Sequence, residues 1–429
     1  MAAPTHAPSI PPLPPAQPTA PDKPSRWPLP AGLRALRHRN YRLFFIGQLI
    51  SLTGTWMQSV AQGWLVLSLT DSPAWLGAVA AINSLPVLLF SLPAGAIIDR
   101  VSKHRLLLIT QVVAMSLALV LAGLTITGTA QLWHVLVLAF LLGVVNSFDA
   151  TARQSFTVEM VGREDLLNAI ALNSSIFNAA RTIGPAVAGV LVALIGEGPA
   201  FLLNGLSFGP VIASLLLMRL PPYSPPSGAK RSGQLAEGLR YIAGQPVVRA
   251  LLTQAGAISF FGFVQIPLLP IIARDIMGLG AEGLGWLSAA SGTGALIASI
   301  MLAQLGDRLP RGRLLTVAVL LYPLFLIGFS FTRSLLPGMA MLALAGWAGV
   351  STMALTNTLI QSVVPDNLRG RVMSVFTMFL MGLSPMGGMI AGTVAQAVGS
   401  VPLVVAASAT IAWLIAVAGA VFSPHIRRL

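Results

Sequence analysis

Charged residues follow one pattern in two places, each time in a short loop between two long apolar stretches. Residues 95–105 read Gly-Ala-Ile-Ile-Asp-Arg-Val-Ser-Lys-His-Arg, and residues 303–313 repeat the central Asp-Arg pair. A carboxylate in such a loop can form and break contacts with arginines or with the N-terminus of a nearby helix. We therefore predict a gate formed by Gly95, Asp99, Arg100, Lys103, Arg105, Asp307 and Arg308. The alternative is that these charges only fix the orientation of the flanking segments.

Asp149 and Arg153 form a second candidate charge pair, because they lie one helical turn apart near the end of another apolar stretch, with Asn146 on the same face. A carboxylate inside an apolar stretch is costly unless it is paired. Two roles remain open for Asp149: a structural ion pair, or a group that takes up and releases a proton.

Arg181 lies about fifteen residues into a further apolar stretch, so some 20 Å from its start at 1.5 Å per residue. No acidic residue of the sequence lies at a matching depth. Such an arginine must face a cavity, a partner or backbone carbonyls. Either it contacts an anionic part of a bound molecule, or polar groups such as Asn178 satisfy it.

The stretches that hold these residues are long enough to span a bilayer. Hydrophobic residues make up 55% of the 429 residues and charged residues only 9%, where a soluble domain carries about a quarter. About twelve runs approach the ~20 residues that a membrane helix needs, and they are too long for barrel strands. The sequence thus predicts an all-α membrane protein with spans at 42–69, 74–98, 105–127, 131–153, 167–195, 199–218, 248–273, 282–304, 313–332, 336–360, 370–397 and 402–423.

The distribution of lysine and arginine indicates which side of the membrane each loop of the predicted bundle faces. They concentrate in the N-terminal tail, in alternate loops at 99–105, 153–163, 219–249, 307–313 and 366–371, and at the C-terminus, whereas the opposite loops hold only Arg274 and Arg333. The positive-inside rule therefore places both termini in the cytoplasm. The net charge of +13 is accounted for by topology, and no basic soluble domain that could bind nucleic acid is present.

An internal repeat divides the chain. Leu76-Gly77 matches Leu284-Gly285, and the Asp-Arg pairs of the two charged loops match at the same offset. Two parallel repeats of this kind are typical of transporters whose substrate site lies between the repeats. We predict a disordered Pro-rich tail at 1–31, a six-helix half at 32–220, a linker at 221–246 and a second half at 247–429. The tail has no apolar region of a signal peptide, and the absence of cysteine excludes disulfides and thiol catalysis.

Three stretches carry a resemblance to a known family: 56–77, 146–174, which includes Asn-Ser-Phe-Asp-Ala-Thr-Ala-Arg-Gln, and 368–374. On these motifs the chain resembles the major facilitator superfamily over nearly its full length. Within it, the chain is similar to the bacterial transmembrane secretion effector group, which includes enterobactin-exporter-like proteins. The resemblance implies two pseudo-symmetric six-helix halves, the major facilitator fold.

The same resemblance implies roles for the charged and small residues. Asp99 would face the start of helix 11 near 368–371 and close the cytoplasmic side, while Asp149 would join this cluster through Arg100 or Arg105. Residues 180–189 resemble the antiporter signature of drug exporters, in which helix 5 bends and packs against helix 8 to seal the external side; its small residues here are Gly184, Pro185 and Gly189. Packing of any two membrane helices would need similar residues. The superfamily's mid-helix-4 arginine motif is absent from 136–145.

Polar residues at helical spacing predict the substrate path. On the first helix the candidates share one face, and the seventh helix carries a similar set. As substrate-binding residues we predict Gln48, Thr55, Ser59, Asn178, Arg181, Gln254, Phe261, Gln265 and Asn357. Interhelical packing is the alternative for any one of them. Together they suggest a wide, largely neutral site for an amphipathic organic molecule.

We therefore expect a secondary exporter of small amphipathic molecules, either drug-like compounds or siderophore-like metabolites, in a bacterial inner membrane. Proton antiport with alternating access is the expected mechanism, and the alternatives are a lysophospholipid translocase or an importer of the same fold. No nucleotide-binding loop and no His-Glu-x-x-His motif is present. We expect no enzymatic activity, no cofactor beyond the proton gradient, and a monomer whose partners are substrate, protons and lipid.

Overall fold

The computed structural model describes residues 30–98, 101–220, 234–305, 310–423 and 425. Within these ranges the chain forms a short helix at Ala31–Arg37, a linker helix at Gln234–Gly244 and twelve long helices. The long helices are α1 (Arg39–Thr70), α2 (Pro73–Ile98), α3 (Lys103–Ile126), α4 (Leu132–Val161), α5 (Leu166–Ile195), α6 (Glu197–Leu216), α7 (Pro246–Ile276), α8 (Ala281–Leu305), α9 (Arg311–Ser330), α10 (Leu335–Val363), α11 (Leu368–Val398) and α12 (Val401–Phe422).

Eleven of the described helices, α2 to α12, are long and apolar enough to cross a membrane. Helix α1 is equally long but more polar, because Gln48, Gln58 and Gln62 interrupt its apolar sequence. It packs between α5 and α6, so the bundle shields part of its polar surface. The predicted all-α membrane fold is confirmed.

The predicted helix bounds agree with the structure to within a few residues, with one exception. Helix α4 continues to Val161, so the predicted charged loop at 153–163 is wrong over most of its length. The reason is that two charges of this segment are paired: Arg153 with Asp149 of the same helix, and Glu159 with Lys103 at the start of α3. A paired charge is less costly within a membrane helix than an unpaired one.

Two helices are interrupted by wider turns. Helix α7 contains π-helical turns at Ile258–Gly262 and Ile272–Ile276, and α11 contains one at Phe379–Leu383. A proline in the interior of a helix removes a backbone donor, and Pro267 and Ser384-Pro385 follow two of these turns closely. The first α7 turn packs against the α11 turn and against the helix that follows it, where a Cβ on Gly387 would lie only 1.8 Å from the carbonyl oxygen of Phe260.

The bundle has two ends, which differ in how they are packed. We call the end at which α1 begins and α12 ends the terminal end, and the other, with the turns at 71–72 and 399–400, the far end. Buried apolar residues form one cluster that joins α1–α6 to α7–α12 towards the far end. At the terminal end the described residues form two separate clusters, one from α1–α6 and one from the second half. The two halves therefore meet mainly at the far end.

Glycines allow this close approach of the halves. A Cβ on Gly189 of α5 would lie 2.8 Å from the Cα of Gly285 on α8, and a Cβ on Gly77 of α2 would lie 2.5 Å from the carbonyl oxygen of Gly388 on α11. Only glycine fits where two backbones are this close. Helix pairs α5–α8 and α2–α11 thus form the closest backbone contacts between the halves.

The short helix at Ala31–Arg37 is held by a buried carboxylate between α4 and α5. Asp165 forms ion pairs with Arg34 at 2.6 Å and with Arg37 at 2.8 Å, and a hydrogen bond with His38 at 2.8 Å. Burial raises the pKa of the Asp165 carboxyl, but the hydrogen bonds from His38 and Arg34 and the charges of both arginines lower it more, so this pKa lies below its usual value. The ionised carboxylate thereby fixes the start of α1.

Candidate functional site

A cavity of about 430 Å³ lies between the two halves. It extends from the middle of the bundle, at the level of Trp56 and Arg181, towards the far end, at the level of Val66 and Leu342. The first half contributes most of its polar lining, from α1, α2, α4, α5 and α6, and the second half adds residues of α7 and α8. The polar lining residues are Thr55, Gln58, Ser59, Gln62, Asn83, Ser84, Asn146, Arg181, Asn204, Gln265, Ser288 and Ser291.

Arg181 gives the cavity its charge. It is partly buried, it lines the cavity, and its guanidinium carbon lies 5.7 Å from the ring centroid of Trp56. A cation over an indole face is attracted by the ring quadrupole. The lining drawn from the described residues contains no carboxylate, and no ion pair of Arg181 is found among them. The cavity therefore presents one positive charge against neutral walls.

An amide pair forms a second polar feature of the cavity. Asn204 Nδ2 of α6 donates to Gln58 Oε1 of α1 at 2.5 Å, and both side chains are buried and line the cavity. Gly54 permits this contact, because a Cβ there would lie 2.6 Å from Asn204 Oδ1. The pair leaves the amide nitrogen of Gln58 available as a donor towards the cavity.

The structure brings together four of the nine predicted substrate-binding residues: Thr55, Ser59, Arg181 and Gln265. The other five lie outside this lining. Gln48 accepts a hydrogen bond from Arg153 at 2.7 Å, and Asn178 donates to Ser299 of α8 at 3.3 Å. Gln254 packs against α12 near Gly419, Phe261 makes an edge contact with Phe260, and Asn357 accepts from Gln361.

Sequence reasoning missed Gln58, Asn83 and Asn204 as cavity residues. Gln58 could have been predicted from the sequence, since it lies three residues after Thr55 on the same helical face. No sequence pattern indicated Asn204, because no residue of α6 was among the predicted substrate-binding residues. Pro185 was predicted as a gating residue and lies in the cavity lining.

Asp149 lies in a buried polar network that its described neighbours on α3 and α4 form. Its carboxylate accepts hydrogen bonds from Thr110 at 3.0 Å and from Gln111 at 2.7 Å, and it forms an ion pair with Arg153. Among the described residues Asp149 forms no ion pair with Arg105, and Arg100 lies outside them, so the pairing implied with Arg100 or Arg105 stays a prediction. The predicted Asp149–Arg153 pair is present.

The same network holds three buried polar atoms without a hydrogen-bond partner: Gln48 Nε2, Gln111 Oε1 and Arg153 Nε. Buried polar atoms in proteins are normally satisfied, often by internal water. Their concentration around one carboxylate marks this region as a polar pocket inside the first half, where Asp149 is the described carboxylate deepest in a membrane span.

The predicted loop gate falls mostly outside the structure. Asp99, Arg100, Asp307 and Arg308 lie outside the described residues, and Gly95 is within the last turns of α2. Of the remaining members, Lys103 pairs with Glu159 and Arg105 is exposed. The gate stays a prediction.

The antiporter-like residues of α5 separate into two groups. Gly189 contacts α8 as predicted, but Gly184 faces α1, where a Cβ would lie 2.7 Å from the carbonyl oxygen of Thr53. The predicted packing of Gly184 against helix 8 is therefore wrong. The two glycines are five residues apart, a spacing that turns them to different faces of α5.

Polar contacts also join the halves at the far end. Arg274 at the end of α7 pairs with Asp71, which ends α1, and Ser72 Oγ donates to Gln396 Oε1 of α11 at 2.6 Å. Asp71 adopts a left-handed backbone conformation with φ of 51°, which Asp tolerates better than most residues. The sequence had indicated Arg274 only as a residue of the side opposite the basic loops.

Comparisons with known proteins agree with this fold. The sequence model of the transmembrane secretion effector family matches residues 31–427. The chain is 25% identical to the staphyloferrin A transporter of Staphylococcus aureus, over 84% of this chain and 90% of that protein. It is 28% identical to the multidrug efflux pump Tap of Mycolicibacterium fortuitum, over 90% and 96% of the two chains. The solved nucleoside transporter NupG superposes with a TM-score of 0.69 at 14% identity, covering 90% of this chain and all of that one, and shows the shared fold.

Proposed function

Because the chain belongs to the transmembrane secretion effector family of the major facilitator superfamily, and is therefore a multi-pass membrane transporter rather than an enzyme, we propose that it exports small amphipathic organic molecules carrying an anionic group. Export proceeds by exchange for protons, with alternating access of the central cavity. In this proposal the protein acts as a monomer in a bacterial inner membrane. The distribution of Lys and Arg supports a cytoplasmic position of both termini.

The observation that carries this proposal is the charge of the cavity. Arg181 lies at mid-depth over Trp56, and no described lining residue is acidic. A guanidinium removed from water binds a carboxylate or a similar anion strongly, through charge-assisted hydrogen bonds. The amides of Gln58 and Asn204 supply neutral donors and acceptors, and the apolar remainder of the wall accommodates the hydrophobic part of the molecule.

The names of the relatives support transport of small organic molecules. One carries the name of a transporter of staphyloferrin A and another that of a multidrug efflux pump. A cavity with one fixed charge and mostly adaptable neutral walls is consistent with a family whose members carry different amphipathic molecules.

Alternating access would use the two ends of the bundle in turn. The far end is joined by the α5–α8 and α2–α11 contacts and by the Arg274–Asp71 pair. With the terminal end in the cytoplasm, this arrangement is the one that loads substrate from the cytoplasm. The loops that contain Asp99 and Asp307 would close the terminal end in the opposite state.

Asp149 is the proposed proton carrier. It is a buried carboxylate, and unsatisfied polar atoms in its network leave a place for water. Protonation would cancel its charge and release Arg153, which also holds Gln48 on α1. Proton binding is thereby linked to the helix that contributes most polar residues to the cavity.

Transport by the purified full chain in liposomes tests the proposal. With an acidic lumen, a fluorescent aromatic carboxylate should accumulate inside as protons leave, in the direction opposite to the passive distribution of a weak acid, and a protonophore should abolish the accumulation. Uptake that ignores the pH gradient contradicts antiport. Movement of the carboxylate along with protons indicates an importer, and transport of a lysophospholipid but not of the carboxylate indicates a translocase.

A further inference from the structure

A second pocket, of about 200 Å³, lies at the terminal end of the first half. It is lined by His38, Arg39, Asn40, Met160 and Arg219. These residues come from the start of α1, the end of α4 and the segment after α6, so the pocket sits where the membrane-spanning helices begin and end. It is separate from the central cavity and independent of the proposed transport function.

The walls of this pocket are fixed by hydrogen bonds between distant parts of the chain. Asn40 Nδ2 donates to the carbonyl oxygen of Arg219 at 2.8 Å, and Arg39 Nη1 donates to the carbonyl oxygen of Leu217 at 3.0 Å. His38 is held by Asp165 at 2.8 Å. The end of α6 is thus tied to the start of α1, and the pocket does not depend on a mobile loop.

The pocket carries positive charge that the described chain does not neutralise. The carboxylate of Asp165 is engaged by Arg34, Arg37 and His38. Arg39 and Arg219 are both exposed and form no ion pair with any described carboxylate. Each guanidinium has five N–H donors, and the contact of Arg39 with Leu217 uses only one of them. Donors for an anion therefore remain at both arginines.

An apolar surface continues from the pocket along the bundle. On α1, Ile46 and Ile50 are exposed and lie seven and eleven residues after Arg39, on the same helical face. On α6, Leu202, Leu206 and Leu216 are exposed and lead towards Arg219. A ligand that places an anion in the pocket can therefore lay hydrocarbon chains along α1 and α6.

We propose that this pocket binds the phosphate of an anionic phospholipid, of the phosphatidylglycerol class, with the acyl chains along α1 and α6. Basic pockets between membrane helices at the cytoplasmic face are a known means of binding anionic headgroups. A zwitterionic lipid offers the same phosphate, but its ammonium or choline group faces repulsion from two arginines. A free phosphate offers the charge without the apolar contact.

Native mass spectrometry of the full chain in detergent tests this site, with phosphatidylglycerol, phosphatidylcholine or inorganic phosphate added. The wild type should retain phosphatidylglycerol at least about tenfold more tightly than phosphatidylcholine, since each charge-assisted contact contributes about that factor. Arg39→Gln with Arg219→Gln should remove the preference. Arg249→Gln is the matched control, because Arg249 is also exposed and donates to a carbonyl, that of Ala243, but lies in the second half.

The result that overturns the proposal is equal retention of the two lipids by the wild type, or an unchanged preference in the double variant. Binding of inorganic phosphate as tightly as of phosphatidylglycerol also overturns it, because the site is then one for a free anion. Should the double variant misfold, Arg39→Lys with Arg219→Lys provides a second test: it keeps the charges and should keep a reduced preference for phosphatidylglycerol, and loss of all preference there contradicts recognition by charge.

Discussion

The guanidinium of Arg181 lies over the indole ring of Trp56, 5.7 Å from the guanidinium carbon to the ring centroid, and both side chains line the central cavity. Trp56 is itself in edge contact with Phe177 of α5, with ring centroids 5.6 Å apart. The aromatic ring holds the cation at mid-depth without neutralising it, which a carboxylate would do. This is why the cavity can offer a full positive charge to a substrate.

Replacing Arg181 should therefore change the affinity for anionic ligands differently from the affinity for cationic ligands. In Arg181→Gln, affinity for an aromatic carboxylate should fall about ten- to a hundredfold, as expected for a lost charge-assisted contact of about 1.5–3 kcal/mol. Affinity for a lipophilic cation should stay the same or rise. Binding curves for one ligand of each charge measure this, with Arg181→Lys as the variant that keeps the charge. Equal losses for both ligands would leave Arg181 a structural role only.

Asp149→Asn should uncouple transport from the proton gradient. The variant cannot take up a proton at this position, but its side chain can still accept hydrogen bonds from Thr110 and Gln111. Uptake driven by a pH gradient should disappear, while exchange of labelled for unlabelled substrate without a gradient should persist. The matched control is Glu159→Gln, which removes a carboxylate of α4 at the terminal end. If Asp149→Asn still responds to the gradient as the wild type does, another group carries the proton.

Gly189→Ala should damage the contact between the halves. The new Cβ would lie 2.8 Å from the Cα of Gly285, so α5 and α8 must move apart, at a cost of about 1–3 kcal/mol for the state closed at the far end. Transport should slow several-fold and the melting temperature should fall. Gly209→Ala is the control, since no atom lies within 4 Å of a Cβ there. Indistinguishable behaviour of the two variants would show that the close contact is not needed.

Asp165→Asn should loosen the short helix at Ala31–Arg37. Because the pKa of Asp165 is lowered from 3.8 in the folded protein, its contribution to stability is complete above pH ~4 and is lost only as the pH falls through the folded-state value. Near neutral pH the variant should be less stable by about 1.5–3 kcal/mol, and the difference should vanish in strong acid. Thermal melting across pH measures this, and a difference that grows as the pH falls would contradict the assignment.

Much of the fold followed from the sequence because membrane helices must satisfy their own backbone, so apolar runs translate directly into helix bounds. The residues of the candidate site could be predicted from the sequence only in part. Thr55 and Ser59 were found because α1 is a regular helix. Gln254 and Phe261 were placed with Gln265 by regular spacing, but the π-helical turn at Ile258–Gly262 intervenes and turns them to other directions. Hydropathy contains no signal for such a turn.

Helices α7 and α11 also give the two halves unequal stiffness. A π-helical turn is a point at which a helix can bend, and the turns of α7 and α11 lie side by side in the second half, whereas α1 and α5, their counterparts by repeat order, are uninterrupted over their described lengths. We therefore expect the second half to bend at α7 and α11 more readily than the first half bends at α1. The contact between Phe260 and Gly387 lies outside the lining of the central cavity, so bending at this point can change the shape of the second half without a direct contact to the substrate.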